Sequence, residues 1–159
     1  MAKIITAAEA ADLIQDGMTL GVSGFGAFAS PDYVMEAMSR KFKEQNTPRD
    51  LTIVSGVAPG DFVEDGCGLS KIKDEGIIKT LIASHLRMSP AIGRACSENK
   101  IAAFSMPLGV YGQLLNAIGS KRPGIITHVG LNTYADPRQD GCKMNELAKA
   151  DGREMVELI

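Results

Sequence analysis

The residues best suited to chemistry lie in one short stretch, Ser23-Gly24-Phe25-Gly26-Ala27-Phe28-Ala29-Ser30-Pro31, between an apolar run and an amphipathic one. Glycines let a backbone approach an anion closely, and the start of a following helix offers unpaired amides and the positive end of its dipole. Gly24-x-Gly26-x-x-Ala29 has the spacing of the dinucleotide-binding fingerprint in its alanine form. That chemistry also asks for an acidic residue about 20 positions further on, to hold the ribose. The next apolar run, Leu51-Thr52-Ile53-Val54-Ser55-Gly56-Val57, ends without one, and Asp61 lies too far out in a loop. The third fingerprint position belongs inside the helix, whereas Pro31 sets the helix start after Ala29. The dinucleotide reading fails on both counts. A tight turn with no ligand accounts for the glycines. It does not account for Phe25 and Phe28, two bulky aromatics that suggest a pocket wall or a contact with another subunit.

Other reactive side chains are scattered. Cys67, Cys96 and Cys142 are odd in number and widely spaced, and none pairs with His85 or His128 in a metal-ligand pattern. Neither a disulfide framework nor a zinc site is expected. A lone histidine after a strand is more often structural than a base, which is the reading for His85. Asp136-Pro137-Arg138 reads as an ion pair fixing a loop or as a partner contact, with the structural reading favoured. With 17 basic against 19 acidic residues, five Phe, three Tyr and no Trp, the chain has no basic, aromatic surface for nucleic acid. No apolar run approaches the ~20 residues of a membrane helix. Met1-Ala2-Lys3-Ile4-Ile5 lacks the apolar core of a signal peptide. The expected location is cytoplasmic, in the reducing cytosol.

The elements that must position the turn follow from periodicity and caps. Thr6-Ala7-Ala8-Glu9 has the form of a capping box, opening a helix with Ala7, Ala10, Ala11 and Ile14 on one face that runs to Asp16-Gly17. Met18 to Val22 reads as a buried strand. Ser30 is the expected N-cap of the next helix, with Pro31 at its first position. Val34, Ala37, Met38 and Phe42 form its apolar face, and it stops near Gln45. Leu51–Val57 is a second strand, and residues 58–76 form a loop with one short helix. Ile77–Ala83 is a third strand, Ser89-Pro90 opens a helix reaching Asn99, and Ile101–Met106 is a fourth strand. Tyr111, Leu114, Leu115 and Ile118 mark another helix, and Gly124–Val129 is a candidate further strand. Asn132–Asn145 is polar and turn-rich, and Arg153–Ile159 reads as an element cut off midway. Alternating strands and helices predict an α/β fold, a mostly parallel sheet with helices on both faces. A chain of 159 residues is one domain, able to bury roughly 70% of its unfolded surface.

Asp16-Gly17-Met18-Thr19-Leu20-Gly21-Val22-Ser23-Gly24-Phe25-Gly26-Ala27-Phe28-Ala29-Ser30-Pro31 resembles the N-terminal signature of family I coenzyme A transferases. Asp16, Gly17, Leu20, Val22, Gly24, Phe25 and Pro31 match it. Gly21 in the apolar run, Ser23 for a glycine and Ala29 for the last glycine depart from it. Further segments resemble the long single-chain branch, the propionate or acetate CoA-transferases and acyl-CoA:3-ketoacid transferases. They are Ile82-Ala83-Ser84-His85 with Ser89-Pro90, Glu98–Phe104 running into Met106-Pro107-Leu108-Gly109-Val110, and Arg122–Leu131 with Thr133–Arg138. They occur in family order along nearly the whole chain.

The resemblance implies a CoA-transferase (NagB/RpiA-like) type of fold and an acyl-CoA:carboxylate CoA-transferase that works through a glutamate, with coenzyme A as substrate and no cofactor. Its carboxylate attacks the acyl-CoA thioester and ends as an enzyme–CoA thioester. In the family that glutamate lies in the C-terminal half, in a Ser-Glu-Asn-Gly-like motif. Ser97-Glu98-Asn99-Lys100 lacks that glycine and sits where the N-terminal half has its own helix end, so Glu98 is read as a solvated helix terminus. No catalytic residue is expected here. The resemblance makes residues 1–159 an N-terminal, alpha-subunit-like domain, with Glu157-Leu158-Ile159 suggesting truncation at its C-terminus. Gly24, Phe25, Gly26, Ala27 and Phe28 would wall the acyl pocket, joined by Leu108 and Gly109. Some family members carry an oxyanion-donating glutamine where Leu108 stands; here that role passes to backbone N–H groups of Gly109 or Val110, passes to the absent half, or is lost. The expected partners are acyl-CoA, a short-chain carboxylate, a C-terminal half or second subunit with the glutamate, and further copies in a homo-oligomer. An acyl-CoA hydrolase on the same scaffold and a non-catalytic ligand-binding α/β domain remain alternatives.

Overall fold

A computed structural model describes residues 3–152. The expected element at Arg153–Ile159 lies outside them. Four strands, β1 (Thr19–Val22), β2 (Leu51–Ser55), β3 (Ile78–Ala83) and β4 (Ala102–Ser105), form one sheet in the order β1-β2-β3-β4. Every neighbouring pair is parallel. The helices are α1 (Ala7–Asp12), α2 (Asp32–Gln45), α3 (Pro90–Ser97), α4 (Leu108–Gly119) and α5 (Glu146–Ala150), with 3-10 turns at Gly68–Ile72 and Pro137–Gln139.

The strand order decides where the core lies. Crossovers between sequential parallel strands are right-handed as a rule, so successive crossovers stepping in one direction fall on one face. Register puts Leu20, Val22, Ile53, Leu81, Ala83 and Ala103 on that face. They join Met35, Ala37 and Met38 of α2, Leu69 and Ile72 of the first 3-10 turn, and Ile92 and Cys96 of α3 in the main core. Ala102 and Phe104 point the other way, onto Ala148 of α5. At β1 and β2 this second face is more open: Thr19 and Gly21 are exposed, and Thr52 and Val54 are half-buried.

The capping box at Thr6 is formed in full: Glu9 N donates to Thr6 Oγ1 at 3.2 Å and Thr6 N donates to Glu9 Oε2 at 2.8 Å. Three expectations need correction. The first helix ends at Asp12 rather than Asp16. Leu13 and Ile14 N–H turn to carbonyls three residues back, and the Asp16 carboxylate instead accepts from Thr47 and from Arg49 N–H. Ser30 is not the N-cap of α2: Pro31 precedes the helix without a side-chain cap, and Ser30 Oγ is buried without a partner among the described residues. Gly124–Val129 is not a strand. The edge it would need beside β4 is taken by residues 142–144, where Ser105 N donates to Cys142 O at 2.7 Å and Met144 N to Ala103 O at 2.8 Å.

Asn145 holds this corner together, a role the sequence pattern did not reveal. Its Nδ2 donates to Cys96 O and Ile101 O, both at 2.7 Å, while its Oδ1 accepts from Ala103 N and caps α5 through Ala148 N.

Candidate functional site

Because the strands are parallel, the loops after all four leave the same sheet edge, where α/β folds gather ligands. The glycine-rich turn follows β1. Gly24 has φ +131° and Gly26 φ +59°, values that glycine reaches without steric cost. Phe25 and Phe28 exchange two backbone hydrogen bonds of 3.1 Å, pinching residues 25–28 into a miniature hairpin. Their rings project outward, 61% and 81% exposed. Ala29, where the family signature has glycine, sits at φ +56°, its carbonyl accepting from Ser23 Oγ at 3.2 Å.

The turn is seated on the loop after β2. Gly60 N donates to Gly26 O at 3.1 Å, and a methyl on Gly24 would lie 3.1 Å from Pro59 Cβ. The loop after β3 closes from the other side. A methyl on Gly60 would lie 2.2 Å from Met88 O, so only glycine permits that approach. Gly26 N also lies 3.3 Å from Met88 Sδ. The end of the α2 helix is not an open anion cradle. Asp32 occupies its first turn and accepts from Gly68 N at 3.0 Å.

Leu108 opens α4 at the same edge, half exposed, against the start of the β2 loop: a methyl on Gly56 would lie 3.1 Å from Leu108 Cδ1. Tyr111 packs beside it and its hydroxyl donates to Val54 O at 3.3 Å. Gly109 is exposed with open space around its Cα. The glycine turn and Leu108 therefore rest on one segment, residues 56–60, from its two ends. The first-turn amides of Gly109 and Val110 find no protein acceptor among the described residues, and Pro107 offers α4 no side-chain cap.

A row of serine hydroxyls ties the strand ends together. Ser55 Oγ donates to Val22 O at 2.8 Å, Ser84 Oγ to Gly56 O, and Ser105 Oγ to Ser84 O at 3.1 Å. Each strand end from β2 onward thus grips the one before it. These serines were missed in the sequence because a serine at the end of an apolar run signals only the start of a turn.

Other candidates lie elsewhere. Glu98 caps the end of α3, before β4 begins, and so stands at the opposite sheet edge from the glycine turn. It pairs with Lys100 at 3.1 Å in solvent, as expected of a helix terminus. His85 is exposed, and its carbonyl accepts from Ala58 N at 3.0 Å. Asp136 is fully buried and accepts from Arg138 Nε at 2.9 Å, Arg138 Nη2 at 2.6 Å and Asn132 N at 2.6 Å, the expected loop-fixing pair. Those donors, Arg138 foremost, hold its carboxyl far below the usual range. Burial pushes the Cys96 thiol up to about 12. Among the described residues no His, Cys, Asp and Glu cluster could hold a metal ion, and no helix is long and apolar enough to cross a membrane.

The model of the coenzyme A transferase family matches residues 4–157. A caffeate CoA-transferase of Acetobacterium woodii is 41% identical over 157 residues, 99% of this chain and 30% of the relative. The alpha subunit of an acetate CoA-transferase of Escherichia coli is 27% identical over 134 residues, 84% of this chain and 57% of that subunit. Among solved structures, the acyl-CoA transferase YdiF of Escherichia coli O157:H7, a thioester complex with CoA, superposes with a TM-score of 0.87 at 35% identity. It covers 98% of this chain and 30% of that one. The chain thus spans about three tenths of the length of its long relatives.

Proposed function

This chain belongs to the coenzyme A transferase family, and from that premise we propose that it is the N-terminal portion of an acyl-CoA:carboxylate CoA-transferase that moves CoA between short-chain carboxylic acids. The observation that carries the proposal is the convergence of the glycine turn and the α4 start on residues 56–60 at the edge where such folds bind ligands.

In this reading a glutamate outside the chain is the nucleophile. Its carboxylate adds to the acyl-CoA carbonyl and expels CoA thiolate, leaving an acyl-glutamyl anhydride. The thiolate then attacks the glutamyl carbonyl, releasing the first carboxylate and forming a glutamyl-CoA thioester. The acceptor carboxylate runs the same steps in reverse.

The chain's own residues serve as walls and donors. Phe25 and Phe28 line the acyl side of the cleft, and Gly24, Gly26 and Ala27 keep the backbone close to it. Leu108 cannot donate a hydrogen bond, so the free amides of Gly109 and Val110 take the oxyanion. An oxyanion donor is worth roughly 2.7–4 kcal/mol in the transition state. Coenzyme A is a substrate here, and the step needs no further cofactor.

The test is CoA exchange between acetyl-CoA and propionate, followed as propionyl-CoA formed. The chain alone should show none. The chain combined with a polypeptide carrying the part of the family sequence it does not cover should show turnover. Turnover by the isolated chain would sink the placement of the nucleophile.

A further inference from the structure

Helix α4 has the wrong surface for a helix that faces water. Its sequence, Leu108-Gly109-Val110-Tyr111-Gly112-Gln113-Leu114-Leu115-Asn116-Ala117-Ile118-Gly119, carries no charge at all. Its seven apolar side chains cover about half of the circumference, wider than the stripe needed to seat a helix on one neighbour. Val110 and Ala117 are buried and Leu114 is half-buried, which uses one side. Beside that side runs a second stripe, Leu108, Tyr111, Leu115 and Ile118, at spacings of three, four and three, the pattern of a helix–helix seam. Leu108, Leu115 and Ile118 on it are 52%, 42% and 57% exposed. A single hydrogen bond, Tyr111 Oη to Val54 O, joins α4 to a strand among the described residues. The apolar surface continues past the helix: a methyl on Gly130 would lie 3.6 Å from Pro107 Cγ, and the flanking Val129 and Tyr134 are exposed.

We propose that this stripe is a docking face for polypeptide corresponding to the part of the family sequence that this chain does not cover. Two observations select that occupant over any other. Even the alpha subunits among the relatives extend well beyond the matched region, which makes up 57% of one and 30% of a long single-chain relative. The stripe also starts at Leu108, the residue at the sheet edge where the catalytic half must approach, so one polypeptide reaches both. The identity of the occupant rests on the transferase reading; the existence of the seam does not.

The experiment uses the uncovered portion of the Escherichia coli YdiF chain, produced separately, as the probe. Binding to this chain is measured by titration calorimetry and size exclusion. The expected result is a complex that weakens by about tenfold or more when Leu115→Gln and Ile118→Gln are combined. Gln113→Glu, exposed on the far side of α4, should leave binding unchanged. Far-ultraviolet dichroism of each variant alone confirms an intact fold.

Equal binding by the double variant overturns the proposal, as does the absence of any complex. Concentration-dependent self-association lost in the double variant overturns it too, because the stripe then belongs to a second copy. The readout is binding, so the two proposals fail separately. A stripe-dependent complex that exchanges no CoA removes the transferase reading and leaves the interface.

Discussion

Ala29 shows how a departure from a family signature acquires a physical meaning. It occupies the left-handed region at φ +56° while its carbonyl accepts from Ser23. An L side chain there costs roughly 1–2 kcal/mol, which glycine avoids. Glycine also loses more chain entropy on folding, which offsets part of that gain. Ala29→Gly should therefore raise stability by about 0.5–1 kcal/mol, measured by urea denaturation, without moving the neighbouring aromatics. A loss of stability would show that the Ala29 methyl makes a contact that outweighs the strain. The sequence signalled that this position is special, through the glycine that the signature places there. It did not signal that Ser30 would fail as an N-cap. Capping rules are local, and the left-handed turn at Ala29 re-aims the chain before Ser30 can reach the helix amides.

The loop from Gly130 to Gly141 is the element most dependent on one charge. Buried Asp136 gathers Arg138, the Arg138 amide and the Asn132 amide, and a methyl on Gly141 would lie 1.9 Å from Asp136 O. The folded carboxyl is more acidic than the unfolded one, which titrates near 4. Its contribution is therefore complete above about pH 4 and is lost as pH falls from there toward the folded value. Asp136→Asn should lower the melting temperature at pH 7, and the gap to the parent protein should narrow on acidification below pH 4. Thermal melts of both from pH 7 to pH 2 check this, and a gap constant across that range would show that the charge contributes nothing. The ion pair could be read from Asp136-Pro137-Arg138 because its partners are two residues apart. Helix α4 could be read too, from its apolar spacing, but not which of its faces the fold would bury.

At the scale of the molecule, stability rests on the helix-covered face of the sheet. Leu81 stands at its centre with no exposed surface. Leu81→Ala should cost about 2–5 kcal/mol, read from urea denaturation, whereas a loss under 1 kcal/mol would mean that the core closes around the cavity. The sequence by itself determined the α/β class, the four strands, the capping box, the glycine turn and the family. These depend on periodicity, capping and turn chemistry that act within a few residues, and on ordered segments matched one by one. Only the tertiary structure decided the rest. Right-handed crossovers between sequential strands put the main core on one face and leave the other more open at β1 and β2. Parallel strands bring the glycine turn and Leu108 to one edge and send Glu98 to the other. Occupation of the β4 edge by residues 142–144 excludes the strand expected at Gly124–Val129. Each of these outcomes depends on which surfaces remain free once distant segments have packed, and no local pattern carries that information.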